Sequence, residues 1–277
     1  MLGRPHAERR EPALLAKMID THSHLLPGID HGCPDMQTAL VMARAAADSG
    51  IGTVVCSPHY PDWNEDRIEY AWSTLHELRA ALQGAGIDLR VALGFEVDLS
   101  VAALVELDLV RRLTVEGSKD VILCEMPYSG WPIYLEPTVF KLAAAGLVPI
   151  IAHPERNDLV QKSSEPLLRL MRAGAVIQAT GGSLTGVFGS AAIRTFHRLF
   201  SEGLVSLIAT DAHSFQTDGW TFQLLLEALE GQLSDGDLVR LTTTNPRRLM
   251  RGEPLEPVVS GVGGQTTAKR KRPWGKG

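Results

Sequence analysis

MIDTHSHLLPGIDHG, residues 18–32, sets three histidines and two aspartates in fifteen positions directly after a short apolar run. His22 and His24 are two apart, so on an extended chain their side chains point the same way. A single His-x-His is more often structural than metal-binding. Its meaning therefore depends on whether the remaining chain supplies metal-capable groups at matching places.

Moving outward, short apolar strand-like runs alternate with helix-like segments. The strand candidates are KMID before Thr21, IGTVVC at 51–56, LRVALGFE at 89–96, DVILCE at 120–125, LVPIIAH at 147–153, AVIQAT at 175–180 and LVSLIATD at 204–211. Between them lie helical patterns such as MQTALVMARAAADSG and EDRIEYAWSTLHELRAALQ, several of which end in the glycine that commonly terminates a helix. Strands this apolar are covered on both faces, as in a parallel sheet or barrel. The expected fold is α/β, with the seven strands in a parallel sheet or barrel.

The polar residues collect at one end of that scaffold. His22 and His24 follow the first run, His59 follows the second in SPHY, and Glu96 ends the third in GFEVD. Glu125 ends the fourth in LCEMP, His153 the fifth in AHPER, and Asp211 and His213 the seventh in TDAH. In a parallel barrel these carboxyl ends converge on the face that carries the chemistry. Six of the nine histidines sit in such turns; only His6, His76 and His197 lie elsewhere. Imidazole mixed with carboxylate is the donor set of zinc, manganese or iron rather than of calcium. The set is too large for one tetrahedral ion, and two or three divalent ions sharing carboxylates suit phosphate-ester hydrolysis.

Composition agrees with an enzyme. The chain has 277 residues, 44% of them hydrophobic, and a formal charge of −5, enough to bury a full core. No apolar run approaches the ~18 residues of a membrane helix, and no signal-peptide pattern opens the chain, so a cytoplasmic protein is expected. The acidic balance argues against nucleic acid as the main ligand. Cys33, Cys56 and Cys124 form no CxxC pair and read as reduced thiols. None has an arginine six positions on, which excludes a cysteine-based phosphatase cradle. Residues 1–17 read as an N-terminal extension, 18–251 as the folded unit, and 252–277, ending KRKRPWGKG, as a basic, disordered tail.

The ordered series HSHLLPGID, SPHY, GFEVD, LCEMP, IIAHPER, GGSLTG, ATDAH and NPRRLM resembles the bacterial metal-dependent protein tyrosine phosphatases of the polymerase-and-histidinol-phosphatase superfamily, in the branch tied to capsule and exopolysaccharide synthesis. The resemblance runs from about Met18 to Met250. It implies an α/β fold that is a distorted seven-stranded TIM-like barrel, and three metals, manganese, iron or zinc: one held by His22, His24, Glu96 and Asp211, a second by Glu96, Glu125 and His153, a third by His31, His59 and His213. It further implies phosphotyrosine hydrolysis by a metal-bound hydroxide, with Arg156 on the phosphate, His59 or His213 assisting the leaving group, and an exopolysaccharide tyrosine autokinase as partner.

Two positions depart from the family pattern. The aspartate usual before Gly32 is His31 here, preceded by Asp30; either could ligate, and alignment to the glycine favours His31. An arginine usual after the Asp-Ala-His triplet is missing from SFQTD, Ser214 to Asp218. The competing readings are a phosphoesterase of small phosphates such as histidinol phosphate, and a catalytically weak, metal-binding regulatory protein. Arg156 has a further alternative in an ion pair with Glu155 or another carboxylate. Gln178 is expected to hydrogen-bond a metal ligand, Ser183 to reach a phosphate oxygen or sit in a plain turn, and Tyr60, Trp63 and Trp131 to flank a phenyl ring or cover the barrel mouth.

Overall fold

The computed structural model describes residues 18–62, 64–118, 120–213, 229 and 233–257. The extension at 1–17, Trp63, the Ser214 to Asp218 stretch and the tail from 258 lie outside these residues. The strands are β1 (Met18–Ser23), β2 (Ile51–Cys56), β3 (His59–Tyr60), β4 (Arg90–Leu93), β5 (Glu96–Asp98), β6 (Val121–Glu125), β7 (Val148–Ala152), β8 (Val176–Thr180) and β9 (Leu207–Ala209). All pair in parallel. The seven expected runs are present; the third is divided into β4 and β5, and a short strand not expected from the sequence, β3, follows the second.

A continuous closed seven-stranded barrel is not formed among the described residues. The strands make a three-stranded sheet, β1-β2-β4, and a six-stranded sheet, β3-β5-β6-β7-β8-β9. The division falls at Ser57-Pro58 and Gly94-Phe95. Proline has no N–H to give to a ladder, and Gly94 lies so close to its neighbours that a Cβ there would stand 3.0 Å from Val115 and 3.1 Å from Val55. Single bonds still cross the gap, from Gly94 N to Cys56 O (2.8 Å) and from Glu96 N to Pro58 O (3.1 Å). On the opposite side β1 meets the chain after β9 through one bridge, Ser23 with Ala212. Buried Asp20 reinforces that seam by accepting from Thr210 N at 3.0 Å and Thr210 Oγ1 at 2.6 Å. Burial lifts its carboxyl to about 6, against the pull of these hydrogen bonds.

Strand alternation divides the core in two. Val55, Val121, Leu123, Ile150, Ala152 and Leu207 point inward, joined by Leu249 of the helix Asn245–Met250. Their neighbours Val54, Ile122, Cys124, Ile151 and Ile208 face the helices that connect the strands. Those helices begin where short polar side chains cap them: Asp35 accepts from Thr38 N ahead of Met36–Asp48, and Asn64 from Asp66 N ahead of Glu65–Gly84. Beyond residue 251, Glu256 N donates to Asn245 Oδ1 and Leu255 packs on the inner cluster. Among the described residues, no helix is long and apolar enough to cross a membrane. All three cysteines are buried and free. The thiol of Cys33, pushed up to about 11 by burial, donates to Asp35 O, so it is no nucleophile at neutral pH.

Candidate metal centre

Because Asp20, His22 and His24 share one strand face, β1 aims two imidazoles at the mouth of the inner cluster. Both are fully buried. Each has its Nδ1 occupied: His22 Nδ1 lies 3.0 Å from Gln178 Oε1, and His24 Nδ1 lies 2.7 Å from Asp30 Oδ2. Gln178 is itself oriented, since its amide nitrogen donates to Thr21 Oγ1. With the Nδ1 protons engaged, the two Nε2 lone pairs face each other at 3.2 Å.

Two carboxylates complete this point. Glu96 Oε2 lies 3.2 Å from His22 Nε2 and 3.4 Å from His24 Nε2, and Asp211 Oδ1 lies 3.3 Å from both. Both oxygens are buried without a hydrogen-bond partner. Buried acceptors left unpaired are expensive, and four metal-capable atoms converging at one buried point fit a divalent cation. His22, His24, Glu96 and Asp211 are the four that the sequence assigns to one ion, and their ligand atoms lie within 4.8 Å of one another.

The other groups are arranged differently from the expectation. The donors that converge beside Glu96 are His59 and Glu125, with His59 Nδ1 3.0 Å from Glu96 Oε2 and 3.6 Å from Glu125 Oε2. His153 instead bonds the opposite oxygen, Glu96 Oε1, through Nε2 at 2.8 Å. A third convergence joins His24, His59 and His213. His31, in an exposed bend, stacks its ring on that of His59 and sets it at a tilt to that of His213, with centroids 4.8 and 4.6 Å apart. Asp30 is committed elsewhere: besides His24 it accepts from Gly32 N at 2.8 Å and His59 N at 3.1 Å. Its carboxylate thus aims a ligand, and the hydrogen bond from His24 holds it well below the usual range against the opposing effect of burial.

Backbone strain marks the same place. His153 and Asp211 are the non-glycine residues with positive φ among those described, at 33° and 56°. Such conformations cluster at functional sites because the surroundings must hold them there.

Burial opposes charge on His22, yet Glu96 and Asp211 overcome it and raise the imidazole to about 9; His24 is raised well above its ordinary value in the same way, by Asp211, Asp30 and Glu96. Burial and the charge on His24 press His213 down to about 4. Its ring is therefore neutral, with Nδ1 2.9 Å from Asp211 O. Without a cation the cluster stores protons on His22 and His24, and binding one must expel them. Metal affinity is accordingly expected to strengthen as pH rises toward about 9, and addition of manganese to weakly buffered protein should release acid. A pH-independent affinity would contradict this arrangement.

Gln178 offers a second check. Gln178→Leu removes the acceptor behind His22 while leaving every candidate ligand in place, and should weaken metal binding by about 10- to 100-fold. Competition with a chromophoric chelator measures it directly.

The cluster opens into a cleft of about 740 Å³ whose lining includes His31, His59, Arg67, Glu125, Tyr128, Arg156, Phe188 and His213. Arg156 does not pair with Glu155; its NH1 lies 3.5 Å from Asp211 Oδ2. Glu155 is buried and accepts from Thr180 N and Ser183 Oγ, both at 2.8 Å. Ser183, on the short helix Gly182–Thr185, is thus turned to Glu155 rather than to the cleft. Tyr60 is core, with its hydroxyl donating to Asn64 O, and Trp131 Nε1 donates to Glu136. The aromatic residues that line the cleft are Tyr128 and Phe188. Sequence reasoning passed over both, although Tyr128 stands three positions beyond Glu125 at a strand end.

Residues 18–251 match the family model for capsular polysaccharide synthesis, CpsB/CapC. The chain is 33% identical over 241 residues to the tyrosine-protein phosphatase YwqE of Bacillus subtilis, an alignment covering 86% of this chain and 93% of that protein. It is 28% identical to the putative tyrosine-protein phosphatase CapC of Staphylococcus aureus, across 80% and 91% of the two chains. Among solved structures, a chain from the crystal structures of YwqE from Bacillus subtilis and CpsB from Streptococcus pneumoniae, described as unique metal-dependent tyrosine phosphatases, superposes with a TM-score of 0.75. It is 31% identical and covers 88% of this chain and 98% of its own.

Proposed function

Given that the chain belongs to the CpsB/CapC family of capsular polysaccharide synthesis proteins, we propose that it is a metal-dependent phosphatase that hydrolyses phosphotyrosine in proteins, in the service of capsule or exopolysaccharide synthesis. The observation that carries this reading is the convergence of His22, His24, Glu96 and Asp211, two of their oxygens orphaned, at the floor of a cleft that also presents Arg156.

His22, His24, Glu96 and Asp211 hold one ion in this reading, Glu96 and Glu125 with His59 or His153 a second, and His59 and His213, with His24 or His31, a third. Divalent cations held there, manganese, iron or zinc, would supply positive charge for the phosphoryl oxygens and a water made acidic enough to attack phosphorus. Asp30 and Gln178 engage the Nδ1 atoms of the two histidines and so aim their Nε2 atoms at the ion. The Arg156 guanidinium lies against the rings of Tyr128 and Phe188, 4.3 and 4.0 Å from their centroids, and borders the cleft, where its forked N–H donors suit paired phosphate oxygens. A phenol of pKa about 10 leaves without strong acid help, so His213, held neutral, serves better as ligand than as proton donor.

Residues 18–251 form the catalytic unit of this proposal, a distorted seven-stranded barrel interrupted at Pro58 and Gly94, with 1–17 and the basic tail 252–277 as appendages. Its site of action is the cytoplasm, its substrate the phosphorylated tail of a tyrosine autokinase.

The test strips the protein with chelator, resupplies manganese, and assays a phosphotyrosine peptide beside histidinol phosphate, with His22→Ala as control. Peptide hydrolysis restored by metal and lost in the variant supports the proposal; preference for histidinol phosphate, or no turnover with metal bound, overturns it. Arg156→Lys keeps the charge and loses the fork. It should lower kcat/KM by about 10-fold, at the lower end of what charged hydrogen bonds contribute, with metal content unchanged by elemental analysis.

A further inference from the structure

Tyr128 touches both halves of the site. Its hydroxyl donates to Glu125 Oε1 at 2.6 Å, while its ring lies against the Arg156 guanidinium, 4.3 Å from the centroid. Burial and the Glu125 charge push the phenol well above its ordinary value, so the hydroxyl remains a donor. The two loops concerned are also latched together. Asn157, buried beside Arg156, donates from Nδ2 to Pro127 O at 2.7 Å and Gly130 O at 3.1 Å. Asp158 N donates to Tyr128 O at 2.9 Å, and Gly130 N to Asp158 Oδ1 at 2.8 Å. The turn after β6 and the turn after β7 thus move as one body, with Tyr128 at their contact. Phe188 also lies against Arg156, 4.0 Å from the guanidinium carbon, and comes from a separate part of the chain.

We propose that Tyr128 is a positioning residue with two separable functions: the hydroxyl fixes the Glu125 carboxylate for metal binding, and the ring fixes the Arg156 guanidinium for the phosphoryl group. Glu125 is only partly buried and its other oxygen faces His59 at 3.6 Å. Removing the hydroxyl frees the carboxylate to rotate into solvent. The ring acts differently, by covering one face of a planar cation and restricting it to the plane in which its N–H groups meet phosphate. The second function rests on the phosphatase reading above; the first does not.

Three variants separate these effects in the full-length protein: Tyr128→Phe, Tyr128→Leu and Phe188→Leu. The loop latch uses main-chain groups together with Asn157 and Asp158, so all three should fold, which circular dichroism checks. Manganese affinity is read by competition with a chromophoric chelator, and KM on a phosphotyrosine peptide at saturating metal. Tyr128→Phe is expected to lose about ten-fold in metal affinity and to keep its KM. Tyr128→Leu should lose the same affinity and also raise KM about two- to five-fold, the value of one exposed cation–aromatic contact. Phe188→Leu should raise KM alike with wild-type metal affinity. Wild-type affinity in Tyr128→Phe overturns the hydroxyl function, and equal KM in the two Tyr128 variants overturns the ring function. If no variant turns over peptide, the phosphatase reading fails; inorganic phosphate binding by calorimetry then takes the place of KM and decides the ring function on the same terms.

Discussion

Glu96→Gln is expected to reduce phosphatase activity by a factor on the order of 10³ or more and to lower metal content by at least one equivalent. The carboxylate belongs to two of the three groups of candidate donors. Oε2 lies 3.0 Å from His59 Nδ1, 3.2 Å from His22 Nε2 and 3.4 Å from His24 Nε2, while Oε1 takes His153 Nε2 at 2.8 Å. Glutamine has the same shape, so packing is conserved, but it removes the charge and turns an N–H₂ toward nitrogens or toward an ion. Several kcal/mol of transition-state charge stabilisation go with the ions, and each ~1.4 kcal/mol is a factor of ten. Elemental analysis and steady-state rates measure the two effects. Wild-type metal content in the variant would remove Glu96 from the centre of the site.

Gly32→Ala is the second large effect, and it arises from packing rather than from a ligand. A Cβ at residue 32 would stand 2.4 Å from His24 Cβ, 2.7 Å from His24 O and 2.9 Å from Asp30 Oδ1. Backbone and a buried ring cannot give way cheaply, so the loop must lift away from β1. That movement breaks the bonds from Gly32 N to Asp30 and from Cys33 N to His24 O, and with them the support of His24 Nδ1. Overpacking of this kind costs about 1–3 kcal/mol, and at this chain length each kcal/mol lowers Tm by about 2–4 °C. Misplacing His24 by an ångström should cost about 10² in rate. Thermal unfolding and kcat on the same preparation test both; an unchanged Tm would mean the loop does not pack on His24.

These two cases differ in legibility. Glu96 is visible as a carboxylate at the carboxyl end of an apolar run, one of a series of such ends. Gly32 reads only as a turn glycine, because its φ is ordinary and its necessity comes from a contact with a residue eight positions earlier. The same division applies to Asp30 and Gln178. Asp30 looks like a spare ligand in the sequence, whereas Gln178 is expected there to hydrogen-bond one; in the structure both aim histidines. Tyr128 and Phe188, separated by sixty residues, have no shared signal until Arg156 stands between them.

The sequence by itself determined the parallel α/β architecture, its seven apolar runs and the donor set at their ends, because period-two and helical patterning and strand-end position are local properties that burial on both faces makes unambiguous. Only the tertiary structure decided which donors share a point, where the strand ladder breaks, and which polar groups aim ligands rather than act as them. Those outcomes depend on distances of about 3 Å between residues far apart in the chain, and no local pattern encodes them.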